Sequence, residues 1–133
     1  MTAPAGLLDT SVFIAQERSR ALRSDLIPDE AFVSVITLAE LQTGVLVSRR
    51  TDDRAARLKT LEAVTSREAL DVTAQAAGQW ARLRVRLAEA GRRMPVNDLW
   101  IAAIGATYNL AVVTQDADFD ALDELGLVEV IRV

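Results

Sequence analysis

Short apolar runs alternate along this chain with longer stretches in which apolar residues recur every three or four positions, and that alternation predicts its elements. GLL (6–8) predicts a brief strand, 12–25 a helix, and Pro28 closes a turn. AFVSV (31–35) is strand-like because its branched and aromatic side chains suit a pleated surface. Leu38, Leu41, Val45 and Leu46 fall at helical spacing over 37–48. A further helix is expected over 52–64, with Leu58 and Leu61 turned inward and its arginines outward. ALDVT (69–73) predicts a short strand. Over 74–90, Ala76, Trp80, Leu83, Leu87 and Ala90 form one stripe that ends at Gly91. Residues 98–108, after Pro95, are apolar nearly all round, which marks a buried helix. LAVVT (110–114) predicts a buried strand, 117–124 a short helix and LVEVIRV (127–133) the last strand. Strands separated by helices imply an α/β domain of three layers, a parallel sheet flanked by helices. No repeat or linker interrupts the pattern, so one domain is expected over 1–133.

Composition narrows the chemistry. The chain has no cysteine and no histidine. Disulfides, thiolate and imidazole metal sites, the Ser-His-Asp triad and histidine acid–base catalysis are all excluded. Carboxylates, hydroxyls and arginines remain. The net charge of −4 speaks against a generally basic nucleic-acid binder. The basic residues are nonetheless clustered, in 49–59 (Arg49, Arg50, Arg54, Arg57, Lys59) and in 82–93 (Arg82, Arg84, Arg86, Arg92, Arg93). No signal-peptide pattern opens the chain, and the longest uncharged run, 99–115, is too short to span a membrane. A soluble, cytoplasmic protein is the expectation.

Four acids fall near the predicted carboxyl ends of strands, where open α/β sheets build their sites. Asp9 directly follows the first strand in LLDTS, and Asp116 lies two residues past VVT. Glu40 comes one helical turn after 31–35, and Asp98 opens the buried helix. Each has an ordinary explanation. Asp9 and Asp116 suit turns and N-caps, Thr37 to Glu40 matches a capping box, and Asp98 suits a helix N-terminus. Capping, however, asks only for Ser, Thr, Asn or Asp, and does not require acids at all four points. A bare carboxylate heading LWIAAIGA would be costly to bury. Four carboxylates form the oxygen-only donor set that Mg²⁺ or Mn²⁺ takes.

The segments LLDTSVFI (7–14), ITLAEL (36–41), PVNDLWIAA (95–103) and VVTQDADF (112–119), in this order, resemble the PIN-domain nucleases. The compact length and the segment from Leu87 to Phe119 look most like the VapC-type toxins of bacterial toxin–antitoxin modules. The resemblance covers nearly the whole chain. It implies a PIN-like fold and Mg²⁺- or Mn²⁺-dependent endonucleolytic cleavage of RNA. Asp9, Glu40, Asp98 and Asp116 match the family's acidic quartet, Asp118 a further acid of many members, and Thr114 its small hydroxyl residue. Asn97 is given no catalytic role. On this reading Asp9 and Asp98 hold the metal most directly, Glu40 and Asp116 complete the shell or orient water, and Thr10, Ser11 and Thr114 support them with hydroxyls. Without histidine to activate a 2′-OH, the attacking group is expected to be water activated by the metal.

Arg49, Arg50, Arg82, Arg84, Arg86, Arg92 and Arg93 either form solvated helix faces or hold RNA phosphates. Trp80 and Trp100 read as core. Members of the toxin type pair with an antitoxin and commonly form homodimers. The crowded apolar positions Leu38, Leu41, Val45, Leu46 and Val47 could supply such a face, or could be plain core. A phosphoreceiver module is the main competitor from another class. It needs an acidic pair after the first strand and a lysine after the last core strand, whereas Asp9 stands alone and Lys59 is the sole lysine. A non-catalytic PIN-like fold is disfavoured by the complete quartet. A housekeeping RNA-processing nuclease is separated from a toxin by a neighbouring antitoxin gene and by growth arrest on expression.

Overall fold

The computed structural model describes residues 5–133. Five strands, β1 (Ala5–Leu8), β2 (Glu30–Ser34), β3 (Ala69–Leu70), β4 (Ala111–Thr114) and β5 (Val130–Arg132), form one sheet in the order β3-β2-β1-β4-β5. Every pairing is parallel. The helices are α1 (Thr10–Glu17), α2 (Val35–Val47), α3 (Thr51–Thr65), α4 (Ala74–Glu89), α5 (Val96–Thr107) and α6 (Asp120–Glu124).

The two-residue period of a strand divides the core in two. Leu7, Phe32, Val112 and Val130 face one cluster, shared with Ala76, Leu83 and Leu87 of α4, Ile101 and Ile104 of α5, and Leu122 of α6. Their neighbours Leu8, Val33, Val113 and Ile131 face the other, with Val12 and Phe13 of α1, Leu41 of α2 and Val64 of α3. The register aligns Leu7 with both Phe32 and Val112, so each face is continuous across the sheet. The three-layer α/β architecture is as the alternation predicts.

Several boundaries differ from expectation. The helix expected over 12–25 starts at Thr10, because Asp9 caps it, and stops at Glu17. Ser19 takes a left-handed backbone (φ 53°), and the Arg20 N–H bonds back to the Ala15 carbonyl at 2.8 Å, which is a Schellman stop built on serine. Gly91, Asn109 and Gly126 end α4, α5 and α6 in the same way. The strand expected over 69–73 is only two residues long. The one expected over 127–133 begins at Val130, because Leu127 and Val128 bond back to Leu122 at the end of α6. Leu58 is exposed rather than inward, since Leu61 and Val64 set the packed face of α3 one position away. Two arginines of that helix are not free: Arg57 donates to the Gly44 carbonyl (2.8 Å) and Arg54 to that of Ser48 (2.6 Å), tying α3 to α2.

Strand order reverses between β1 and β4: the chain runs outward from β1 to β3, then returns to β4 on the other side. The crevice at their carboxyl ends is the switch point where such sheets hold ligands. Close approach of β1 to its neighbours, toward the amino end of the sheet, rests on Gly6, where a Cβ would lie 2.7 Å from Val113 Cγ2 and 3.0 Å from Pro28 Cγ. Gly6→Ala is therefore expected to destabilise the fold by about 1–3 kcal/mol through overpacking. Urea denaturation measures the loss.

Candidate active site

Asp9 directly follows β1 and Asp116 follows β4 with only Gln115 between, so pairing of those neighbouring strands brings both to the switch point. Asp9 is nearly fully buried. Its Oδ2 accepts from Ser11 Oγ (2.7 Å), Thr114 Oγ1 (2.9 Å) and the Ser11 N–H (3.3 Å). Both hydroxyls also accept a backbone N–H, Ser11 from Gln115 and Thr114 from Asp116. Each hydroxyl has one hydrogen, and both are committed to Asp9. The 3.1 Å approach of Ser11 Oγ to Thr114 Oγ1 is thus a contact between two oxygens bound to the same carboxylate. Asp9 Oδ1 takes no hydrogen bond among the described residues.

The same division recurs at two more acids. Asp116 Oδ1 accepts from the Asp118 N–H at 2.9 Å and caps the 3₁₀ turn over 117–119. Glu40 Oε1 accepts from Thr10 Oγ1 at 2.6 Å. Capping and site-building are therefore not alternatives at Asp9 and Asp116, because one oxygen serves each. Glu40 belongs to no capping box: Ser34 caps α2 by accepting the Thr37 N–H, and both Thr37 and Glu40 lie inside the helix.

Asp98 is the third residue of α5, whose cap position is Pro95 and carries no side-chain bond. Since α5 leads straight into β4, its N-terminus lies over the carboxyl edge of the sheet. Asp98 is half-buried, and its carboxyl is pushed up to about 7 by loss of hydration, then by the charges of Asp9, Asp116, Glu40 and Asp118. The helix N-terminus favours the charged form, but burial and four like charges outweigh it. Asp98, Asp116 and Asp118 bring one carboxylate oxygen each within 4.8 Å of one another. All five sequence-predicted acids thus gather, with Thr10, Ser11 and Thr114 beneath them. The donor set fits a hard divalent cation: oxygen only, crowded, and held from behind by hydroxyls.

The arginines do not form one group. Arg84, Arg92 and Arg93 line a groove of about 640 Å³ that includes Leu99, the neighbour of Asp98. Arg92 also pairs with Glu124 at 2.8 Å. Arg82 clasps the Gln79 side-chain Oε1, Arg86 lines a separate hollow beside Glu89 and Leu125, and Arg49 and Arg50 are exposed at the α2–α3 turn, with Arg50 3.6 Å from Asp53. Trp80 and Trp100 stack on each other at 5.2 Å against the α4–α5 core, with the Arg84 guanidinium 5.4 Å from the Trp80 ring. The residue missed from sequence is Thr37, whose hydroxyl lies 3.0 Å from Thr10 Oγ1. Its spacing three residues before Glu40 was the available signal, read there as a capping box.

Comparison with known proteins gives a consistent set. The PIN domain family matches residues 6–125. Ribonuclease VapC5 of Mycobacterium tuberculosis is 58% identical over 132 residues, covering 99% of this chain and 98% of that protein. Ribonuclease VapC4 of the same organism is 38% identical over 98% of this chain and 100% of that one. The crystal structure of VapBC-5 from M. tuberculosis, a member of the VapBC family of toxin–antitoxin systems, superposes with a TM-score of 0.91 at 56% identity, covering 98% of this chain and 100% of that one. FitAcB from Neisseria gonorrhoeae superposes at 0.71 with 27% identity, over 95% and 96% of the two chains.

The Asp98 carboxyl carries a prediction for the metal-free protein. A carboxyl raised from 3.8 to about 7 binds a proton in the folded state that it lacks when unfolded. Its contribution to stability is present below the unfolded value and is lost as pH rises toward 7. In EDTA, Asp98→Asn should raise Tm at pH 8 and flatten the decline between pH 4 and 7. Differential scanning calorimetry across that range reads both effects.

Proposed function

This chain belongs to the PIN-domain family, and on that premise we propose that it is a metal-dependent endoribonuclease, the toxin of a toxin–antitoxin pair. The observation that carries the proposal is the convergence of acids on the β1–β4 switch point. Asp9, Glu40 and Asp116 each have one oxygen held by protein donors, which leaves the other available. Relatives named ribonuclease VapC, and the VapBC structure that this chain matches, support both the reaction and the pairing.

Mg²⁺ or Mn²⁺ is the cation we assign, held by Asp9, Asp98, Glu40 and Asp116 with Asp118 at the rim. When bound, it supplies water activation and neutralises charge on the phosphodiester. The chain's own residues perform the remaining work. Ser11 and Thr114 fix the Asp9 carboxylate from behind, and Thr10 fixes Glu40. Asp98 stands at the head of a rigid, buried helix, so its position does not depend on a loop. To Arg84, Arg92 and Arg93, which line one groove, we assign the holding of phosphates of the flanking RNA. Of the seven arginines considered from sequence, the proposal uses these three.

We assign one domain to the chain. Leu46 and Val47 are 80% and 64% exposed at the end of α2, an apolar patch suited to the antitoxin or to a second copy in a homodimer. No helix among the described residues is long and apolar enough to cross a membrane, and the reading places the enzyme in the cytoplasm with its RNA and antitoxin.

Incubation with total RNA, followed by mapping of ends, tests the activity. Products with 5′-phosphate and 3′-OH ends are expected, with none in EDTA. Asp9→Asn, which keeps the shape and the capping oxygen, should abolish cleavage without loss of folding. Cyclic 2′,3′-phosphate ends or cutting in EDTA would refute the mechanism. Replacing Arg84, Arg92 and Arg93 together by Ala should weaken RNA binding and reduce the slope of log K against log salt by roughly 2, as loss of three single-strand phosphate contacts requires. Filter binding at several salt concentrations measures it.

A further inference from the structure

Beyond the paired residues of β4 and β5, the Val133 N–H donates to the Thr114 carbonyl at 3.1 Å and extends their ladder. The next carbonyl, that of Gln115, takes its hydrogen bond from a side chain instead. Arg132, aligned with Thr114 in the sheet register, donates to it from Nη2 at 3.0 Å. Its Nη1 donates to Asp120 Oδ1 at 2.9 Å. One planar guanidinium thus spans the base of the turn that carries Asp116 and Asp118, from the residue before it to the first residue of α6.

The Gln115 carbonyl and the Asp116 N–H belong to one rigid peptide unit. Arg132 holds the oxygen of that unit, and Thr114 Oγ1 accepts its N–H at 2.9 Å. The same Thr114 hydroxyl donates to Asp9 Oδ2 at 2.9 Å. We infer that Arg132 is a positioning residue for Asp116, acting through the peptide that leads into it. With both ends of this unit held, the Asp116 Cα leaves it in a fixed direction, and the bond from the Asp118 N–H to Asp116 Oδ1 fixes the side chain from there. Phe119 is fully buried, but it anchors the turn after Asp118 and not the peptide before Asp116. The side chains of Arg132 and Asp120 are 45% and 41% exposed, so their ion pair contributes little to global stability. The inference rests on the proposed role of Asp116 as a metal ligand.

Two variants separate position from charge. A cation beside the acids opposes binding of a second cation, so if Arg132 acted by charge alone its removal would strengthen Mn²⁺ binding. Arg132→Met, measured by isothermal titration calorimetry of the whole chain with Mn²⁺, should instead bind roughly tenfold more weakly, the lower end of what outer partners of metal ligands contribute. Arg132→Lys keeps the charge but not the planar fork, and should also lose at least about threefold. In EDTA the Tm of either variant should fall by less than about 5 °C, as loss of an exposed ion pair allows. In an Asp116→Ala background, Arg132→Met should have no further effect. Tighter or unchanged binding by Arg132→Met, parental binding by Arg132→Lys, or a loss that persists without Asp116 would each overturn the inference. A larger fall in Tm would assign the loss to the fold and overturn it as well. Unchanged Mn²⁺ binding by Asp116→Ala alone would instead remove Asp116 from the metal site, and the inference with it.

Discussion

Like charges repel, and everything at the functional end of this molecule is organised to hold carboxylates together against that repulsion. The repulsion is visible at Asp98, whose proton is retained up to about pH 7 by burial and by Asp9, Asp116, Glu40 and Asp118. The opposing force is not a set of cations, because the ion pairs formed by the described arginines involve other acids. It is covalent and topological. Parallel pairing of β1 with β4 fixes where Asp9 and Asp116 leave the sheet, and the buried α5 fixes Asp98. The large apolar core thus does electrostatic work, since its burial opposes the mutual repulsion of the acids. A divalent cation would relieve that repulsion directly.

Hydroxyls supply the finer control. Ser11 and Thr114 together occupy one oxygen of Asp9, and each accepts one backbone N–H from the β4 exit. Asp9 is thereby tied to the segment that carries Asp116, so the two acids cannot move independently. Thr10 plays the corresponding part for Glu40 by donating to its Oε1. Hydroxyls suit this duty because they donate to a carboxylate without adding a positive charge that would compete with a metal ion.

Charge outside the acidic site is divided by function. Arg54 and Arg57 are spent on backbone carbonyls that fasten α3 to α2. Arg84, Arg92 and Arg93 line a groove together with Leu99 of α5. A molecule with net charge −4 can in this way present a local cationic face to a polyanion.

Much of this was legible in the chain itself. The period-two alternation of Leu7-Leu8 and Val112-Val113 and the helical stripe of Ala76, Leu83 and Leu87 determined the layers, because burial of apolar area is a property that sequence spacing encodes. The order of LLDT, AEL, NDLW and VTQD singled out the acids that the fold brings together. What the sequence did not reveal was stereochemical. Ser19 ends α1 in a conformation more often given to Gly, so no letter announced the stop. Thr37 and Glu40 have capping-box spacing, but Ser34 already fills the cap, and only packing turned them toward Thr10. Likewise the arginines form two runs in sequence, yet the partners at 44, 48 and 124 are set by which helices lie side by side. Local pattern therefore determined the elements and the chemistry on offer. Tertiary structure decided which atom of each side chain is free, because a hydrogen-bond partner distant in sequence is specified only once the chain has folded.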